Sequence, residues 1–296
     1  MHKILVTGVN GQVGYELLSA LAALGEVIGL TRQQLDLTQT EQIQQQLNHY
    51  QPTIIVNPAA YTAVDKAESD SDTAYQVNQY APHIMAQWAA QHDALLIHYS
   101  TDYVFDGTKD SPYVEHDATN PQSVYGRSKC LGEEAIRQAQ AKHFILRTSW
   151  VFGVHGHNFI KTILRLAKER SCLNIVADQH GAPTSAMLIA DVTAQIVRHH
   201  IKNPNNNSDY GTYHLSALGQ TTWYDYACFI VQTALDNGQK LALTAQDIQP
   251  IASSSYPVPA KRPTNSRLNC DKLRHSFGLS LIAWQLDVAQ VIAQLK

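Results

Sequence analysis

Lys3-Ile4-Leu5-Val6-Thr7 is an apolar, β-branched run that ends on Gly8, and glycines return at 11 and 14 before Tyr15-Glu16-Leu17-Leu18 opens an alanine- and leucine-rich stretch. Strand, tight turn and helix must follow one another here with no spare residues. Glycines serve where the backbone takes unusual dihedrals or approaches a neighbour closely. The helix N-terminus then presents unpaired N–H groups and a positive dipole end, which suit a pyrophosphate. The spacing Gly8-x-x-Gly11-x-x-Gly14 differs by one residue, in its first interval, from the G-x-G-x-x-G fingerprint of dinucleotide-binding units. A strand-to-helix turn with no ligand is the plain alternative.

The first half of the chain alternates short apolar runs with helical patterns. Strands are expected at Ile4–Thr7, Glu26–Leu30, Thr53–Asn57, Leu95–Ser100 and His143–Thr148, and helices at Val13–Ala23, Glu41–Tyr50, Thr73–Gln91 and Ser123–Ala141. Such alternation predicts an α/β fold, a doubly wound parallel sheet of Rossmann type covered on both faces. Ligands of such sheets bind beyond the strand C-termini. The glycine turn, the Asn57-Pro58-Ala59-Ala60-Tyr61-Thr62 loop and Ser100-Thr101-Asp102 therefore converge on one crevice. After Trp150 the pattern loosens into a smaller mixed α/β lobe. We expect a dinucleotide-binding domain over 1–149, with 189–215 returning to it, and a substrate lobe over 150–188 and 216–296. Asn203–Asp209 reads as a polar surface loop.

Tyr125-Gly126-Arg127-Ser128-Lys129 puts a phenol and an ammonium one helical turn apart on one face. A nearby cation favours the phenolate, so Lys129 is expected to lower the Tyr125 pKa and make it a proton donor. A solvated helix face is the alternative for this spacing alone. With 296 residues, 44% of them hydrophobic, the chain is long enough for one large core with a lobe attached. A net charge of -3 without a basic block argues against nucleic acid. Cys130, Cys172, Cys228 and Cys270 are scattered and read as reduced thiols, no run is long enough to span a bilayer, and Met1-His2-Lys3 leaves no room for a cleavable leader. A cytoplasmic enzyme is expected. The fourteen histidines show no paired metal spacing, and His155, His157 and His199-His200 read as surface or loop residues.

Several longer runs carry a specific resemblance: Val64-Asp65-Lys66-Ala67-Glu68, Ser100-Thr101-Asp102-Tyr103-Val104-Phe105, Arg147-Thr148-Ser149-Trp150, Gln179-His180-Gly181-Ala182-Pro183-Thr184 and Arg262-Pro263-x-Asn265-Ser266-Arg267-Leu268. Together with the glycines and Tyr125-x-x-x-Lys129, they make the chain resemble the extended short-chain dehydrogenase/reductase superfamily, and within it the dTDP-4-dehydrorhamnose reductase family, over nearly its whole length. The resemblance implies reduction of the C4 ketone of dTDP-4-dehydro-β-L-rhamnose by a nicotinamide cofactor, the last step of dTDP-L-rhamnose biosynthesis. Thr101, Tyr125 and Lys129 would be catalytic, with Lys129 on the nicotinamide ribose hydroxyls.

The same resemblance places Gly8, Gly11, Gln12, Val13 and Gly14 around the pyrophosphate, Asp36 and Leu37 beside the adenine, and Ala59, Ala60, Tyr61 and Thr62 on the ribose and nicotinamide side. Thr101, Asp102 and Trp150 would meet the deoxysugar. Asp36 also reads as a turn or N-cap residue, and Trp150 also as core. The second strand ends Gly29-Leu30-Thr31-Arg32 without a carboxylate, which favours NADPH over NADH if Arg32 meets the 2′-phosphate rather than solvent. Arg262, Arg267 and Asn158 are candidates for the substrate's pyrophosphate, with ion pairs and a loop cap as their alternatives. Some members dimerise through Mg²⁺. Glu16 matches one ligand position, but Met187 stands where an acid is needed, and a thioether is a poor Mg²⁺ ligand, so no bridging metal is expected and a homodimer would need another contact. A dehydratase or epimerase of the same superfamily, or a non-catalytic binding subunit, are the rival readings. Dehydration wants a second acid after the threonine, where this chain has Tyr103.

Overall fold

The structure, a computed structural model, describes residues 2–139, 142–204, 206 and 209–295. Its centre is a six-stranded sheet whose members are β1 (Lys3–Thr7), β2 (Glu26–Leu30), β3 (Ile54–Asn57), β4 (Leu95–Thr101), β5 (His143–Thr148) and, much later in the chain, the strand Gly211–His214. All are parallel, in the order β2, β1, β3, β4, β5, Gly211–His214. The order reverses between β1 and β3, so the crevice for a ligand opens beyond their C-terminal ends. Every residue of β3, β4 and β5 is buried, as expected of strands covered on both faces.

Alternate residues of each strand feed two cores. Ile4, Val6, Ile54, Val56, Leu95 and Ile97 pack on one face, and Leu5, Ile55, Leu96 and Ile145 on the other. The second face is covered by α2 (Thr40–Tyr50) and by a long helical run that reads Val64–Ala67 as α3, Ser71–Tyr75 as α4, a π-helical turn at Gln76–Tyr80, and Ala81–Gln91 as α5. The sequence predicts one helix over Thr73–Gln91. Pro82 supplies the reason for the break: it has no N–H to bond the carbonyl four residues back, that of Asn78. The helix α6 (Val124–Ala139) lies beside this run. The predicted end of that helix at Ala141 lies outside the described residues, as do Asn205, Asn207 and Ser208 of the predicted polar loop.

On the first face, α1 (Gln12–Leu21) packs against a helix spanning Ala186–Lys202, which leads to the sixth strand. The return to the sheet therefore begins at Ala186. Beyond these, helices at Phe159–Glu169, Trp223–Asp236 and Trp284–Gln294 pack together with short two-stranded pairings as a smaller lobe, while the helix Asp271–Phe277 packs on the strand Gly211–His214. No described helix is long and apolar enough to cross a membrane.

Candidate active site

The glycine turn is built as closely as a backbone allows. Gly8 takes φ +57°, and a Cβ there would lie 2.8 Å from the Ala59 Cβ, while a Cβ on Gly14 would lie 2.3 Å from the Gly8 carbonyl oxygen. A side chain at Gly14 would drive α1 from the turn after β1, and one at Gly8 would collide with Ala59 in the loop after β3. Gly11 is the N-cap of α1, with no side chain capping it and no acidic residue in the first turn. The N–H groups of that turn, at Gln12, Val13 and Gly14, are thus left without a side-chain cap, as an anion-binding helix N-terminus requires. The Gln12 side chain is engaged elsewhere, accepting from Asn158 (2.9 Å) and donating to the Val151 carbonyl (3.4 Å), so it ties the turn to the small lobe.

The loop after β3 holds Ala59, Ala60 and Tyr61 partly exposed and Thr62 exposed. Asn78, fully buried in the π-helical turn, clamps this loop. Its carbonyl side-chain oxygen accepts from the Tyr61 N–H (2.9 Å), and its amide donates to the Tyr61 carbonyl (3.1 Å) and to the Ser128 hydroxyl (3.0 Å). Sequence reading missed Asn78, although Pro82 inside a helical pattern was a signal of irregular backbone there. Beyond β2, Arg32 is exposed and Leu37 is buried, while Asp36 accepts from the N–H (3.0 Å) and hydroxyl (2.9 Å) of Thr38. Those bonds hold its carboxyl below the usual range, against burial. Asp36 serves as a turn residue; the N-cap of α2 is Gln39.

Thr101 ends β4, and its hydroxyl donates to Asp102 (3.0 Å) and accepts from the Tyr103 N–H (3.2 Å). Tyr125 arrives from the first turn of α6. Ser123 accepts from the Gly126 N–H (3.1 Å) and Glu68 from the Val124 N–H (2.8 Å), which fixes where that helix begins. Gly126 lets α6 touch the turn after β4, since a Cβ there would lie 2.2 Å from the Tyr103 carbonyl oxygen. The phenol of Tyr125 so comes near enough to Thr101 for that hydroxyl to favour its phenolate, and its ring meets that of Tyr103 edge-on at 5.6 Å.

The electrostatics differ from the sequence expectation. Tyr125 is pushed up to about 12, chiefly by burial, with Thr101 opposing and the Asp102 carboxylate adding to the rise. Lys129 does not lower it. The Lys129 amine is buried and turned to the sheet, where it donates to the Tyr99 carbonyl (2.6 Å) and meets His98 Nε2 (3.1 Å). Burial brings Lys129 itself down to about 7, with Glu133 opposing. Spacing put both residues on one face of α6; the dry interior behind that face decided where the amine went. Asp102, 2% exposed, is raised to about 6 by burial, while the neighbouring Ser266 and Thr101 hydroxyls hold it back. Among the described residues its Oδ2 has no hydrogen-bond partner.

Trp150 follows β5 with φ +49°, a left-handed conformation that favours glycine. Its indole stacks on Trp223 at 3.7 Å, and a Cβ on Gly181 would lie 2.6 Å from the ring. The adjoining concavity of about 230 Å³ is lined by Pro112, Ala182, Gly219, Gln220, Arg267 and Leu268. Arg267 is partly committed to Asn265 (2.8 Å) and Gln220 (2.9 Å), and Arg262 pairs with Asp65 (2.8 Å), drawing the small lobe onto the loop after β3. Asn158 caps the helix Phe159–Glu169. Sequence reading also missed a buried pair beneath the site, Glu133 of α6 with Arg147 of β5 (2.6 and 2.8 Å). Among the described residues, no group of three or more His, Cys, Asp or Glu is arranged to hold a metal.

The uncapped glycine turn follows β1, Thr101 ends β4, and the first turn of α6, which carries Tyr125, lies against the turn after β4. The profile of the RmlD substrate binding domain family matches residues 1–296. The chain belongs to this family. A curated relative, dTDP-4-dehydrorhamnose reductase of Burkholderia thailandensis, is 46% identical over 296 residues, covering 99% of both chains. Among solved structures, a dTDP-4-dehydrorhamnose reductase from Clostridium acetobutylicum superimposes with a TM-score of 0.88 at 35% identity, covering 99% of each chain. That of Bacillus anthracis, solved in complex with NADP, gives 0.86 at 33% identity over 99% of each. RmlD family membership and the Rossmann-type sheet thus stand together.

Proposed function

We propose that this chain is a dTDP-4-dehydrorhamnose reductase, which reduces the C4 ketone of dTDP-4-dehydro-β-L-rhamnose to the alcohol with NADPH as its preferred reductant. The observation that carries the reading is the close approach of α6 at Gly126 to the turn after β4, which sets the Tyr125 phenol beside Tyr103 and the end of β4 where Thr101 stands, in a chain that matches such reductases from end to end. The uncapped first turn of α1 and the tight Gly8-Ala59 approach leave backbone that would hold a dinucleotide pyrophosphate. When bound, the nicotinamide supplies the hydride.

The remaining work falls to side chains. Tyr125 gives the proton of its Oη to the alkoxide that develops at the sugar C4 oxygen. A phenol held near 12 keeps that proton at neutral pH, yet an alkoxide is a far stronger base and takes it. Thr101 stabilises the charge that grows on the oxygen, and Asp102 orients Thr101 through their 3.0 Å bond. Lys129, whose amine rests on the Tyr99 carbonyl and His98, would turn to hold the nicotinamide ribose hydroxyls. Gly11, Gln12, Val13 and Gly14 take the pyrophosphate, Ala59, Ala60, Tyr61 and Thr62 border the ribose, and Trp150 offers its face to the deoxysugar. Arg32 takes the 2′-phosphate. The substrate is a nucleotide sugar and the compartment the cytoplasm.

Purified protein, NADPH and the 4-keto-6-deoxy sugar nucleotide made by upstream enzymes form the test, followed by the absorbance of reduced nicotinamide. Consumption of NADPH with formation of dTDP-L-rhamnose supports the reading. Isomers formed without net oxidation would make it an epimerase, and folded protein that consumes nothing would make it a binding subunit. Tyr103 already stands where a dehydratase needs its second acid, and its ring packs on Tyr125.

A further inference from the structure

Behind the site, a row of polar side chains crosses the sheet with almost no solvent contact. Asn57 on β3 lies opposite His98 on β4, and Thr7 ends β1 at the same level. All three project to the face covered by α6, because each stands two residues beyond Leu5, Ile55 or Leu96, which pack on that side. The Thr7 hydroxyl meets the Asn57 Oδ1 (2.6 Å), the Asn57 amide meets His98 Nδ1 (3.1 Å), and His98 Nε2 meets the Lys129 amine (3.1 Å). At the other end Thr7 accepts from the Ala59 N–H (3.3 Å). Thr7, Asn57, His98 and Lys129 are each 2% exposed or less. A polar chain this dry is costly unless every member is satisfied.

We propose that His98 is a positioning residue for Lys129, docking its amine against β4 and linking it through Asn57 and Thr7 to the Ala59 loop that borders the dinucleotide. The proposal rests on the reading of Lys129 as the group that meets the nicotinamide ribose. A neutral imidazole has one N–H and one lone pair, so whatever Asn57 presents to Nδ1 decides what Nε2 offers to the lysine. With the Asn57 amide donating, Nε2–H faces an uncharged amine. With the carboxamide turned, the Nε2 lone pair accepts from an ammonium, and Thr7 serves either orientation by donating or accepting. Burial keeps His98 from becoming a cation itself, with the Lys129 charge acting the same way. The other ionisable groups along this face of α6 are Tyr125, beside Asp102, and Glu133, paired with Arg147. Among the described residues neither is hydrogen-bonded to the Lys129 amine, whose partners are His98 and the Tyr99 carbonyl.

Two variants separate holding the lysine from merely filling the space. His98→Gln keeps a polar atom near the Nε2 position, whereas His98→Asn keeps only the contact toward Asn57. His98→Asn is expected to lower kcat about ten- to a hundredfold, the effect of one hydrogen bond to a charged group, with His98→Gln within about threefold of the parent. A second measurement needs no folded variant. Ring ¹⁵N resonances of the non-titrating, buried His98 are followed in the parent protein as NADP⁺ is added, with binding monitored by calorimetry. A shift of the His98 nitrogens on saturation is expected as Lys129 turns to the ribose. If NADP⁺ binds while those resonances stay still, or if Gln and Asn lose turnover by the same factor, the role of His98 is overturned and the reductase reading stands. If no NADP⁺ binds, both fall.

Discussion

Gly126→Ala tests the placement of Tyr125 most directly. The added Cβ would sit 2.2 Å from the Tyr103 carbonyl oxygen, a backbone atom that cannot rotate aside, and ordinary contact begins near 3.4 Å. The first turn of α6 must therefore retreat by about 1 Å from the turn after β4, or that turn must deform. Tyr125 is the residue immediately before Gly126, so its hydroxyl moves with the helix and leaves Thr101. Misplacement by about 1 Å of a reacting group costs on the order of a hundredfold in rate. Overpacking of this kind destabilises by about 1–3 kcal/mol.

The assay pairs steady-state kinetics with thermal unfolding and NADPH titration. We expect kcat to fall about a hundredfold, the melting temperature to drop by several degrees, and NADPH affinity to change little, because the glycine turn on α1 is untouched. A folded variant with parental kcat would refute the argument that this close approach sets the position of the phenol. A loss of activity fully explained by unfolding at the assay temperature would refute it as well.

Further outcomes follow from the same geometry. Tyr125→Phe should keep NADPH binding and fold while lowering kcat by about 10²- to 10⁴-fold, the range for a lost general acid; unchanged turnover would remove the phenol from the chemistry. Gly181→Ala should push the Trp150 indole, 2.6 Å from the new Cβ, and raise KM for the sugar nucleotide more than it lowers kcat. Arg32→Ala should weaken NADPH binding and leave NADH binding nearly unaltered; equal effects on both would send Arg32 back to solvent. Asp102 titrates higher in the folded state than its ordinary 3.8, so its contribution to stability is full below about 3.8 and is lost as pH rises through about 6. Asp102→Asn should therefore gain up to roughly 3 kcal/mol over the parent at pH 7 and nothing at pH 3.5, as read by denaturant unfolding at both pH values; an identical difference at both would refute the buried-carboxylate account.

The sheet was legible because β-branched runs buried on both faces leave little choice, and each predicted strand lies within a residue of the observed one. The long helix before β4 was not, since periodicity does not register what Pro82 does to the turn preceding it. Tyr125 was found from its spacing to Lys129, and its contact with Thr101 depends on Gly126, a residue the motif carries without explaining. The direction of the Lys129 amine was hidden for a different reason. A spacing of four fixes the face of a helix, whereas the partner of a long side chain depends on what the sheet presents there, and His98 is 31 residues away. Arg262 shows the same gap, its partner Asp65 being 197 residues distant. Trp150 looked like core or platform, and its positive φ has no signature in composition.

The runs that make the family resemblance specific turn out to be largely mechanical. Within Val64-Asp65-Lys66-Ala67-Glu68, Asp65 binds Arg262 and Glu68 caps the first turn of α6. Within the Arg262 to Leu268 run, Asn265 donates to the Lys109 and Ser111 carbonyls (2.6 and 2.9 Å), holding the loop after β4. Along α6 itself, Tyr125, Lys129 and Glu133 succeed one another at intervals of four, so one helical face leads from the proposed proton donor to Lys129 and then to the buried pair with Arg147. Removing one member of such a pair strands the other charge in the interior, at about 3–5 kcal/mol. The Glu133–Arg147 pair thus fixes the rotation and depth of α6 against β5 from two turns away. A helix free to roll by a few degrees would carry Tyr125 away from Thr101, so the fully buried Glu133, on the same face of α6 as Tyr125, helps to set where the phenol lies.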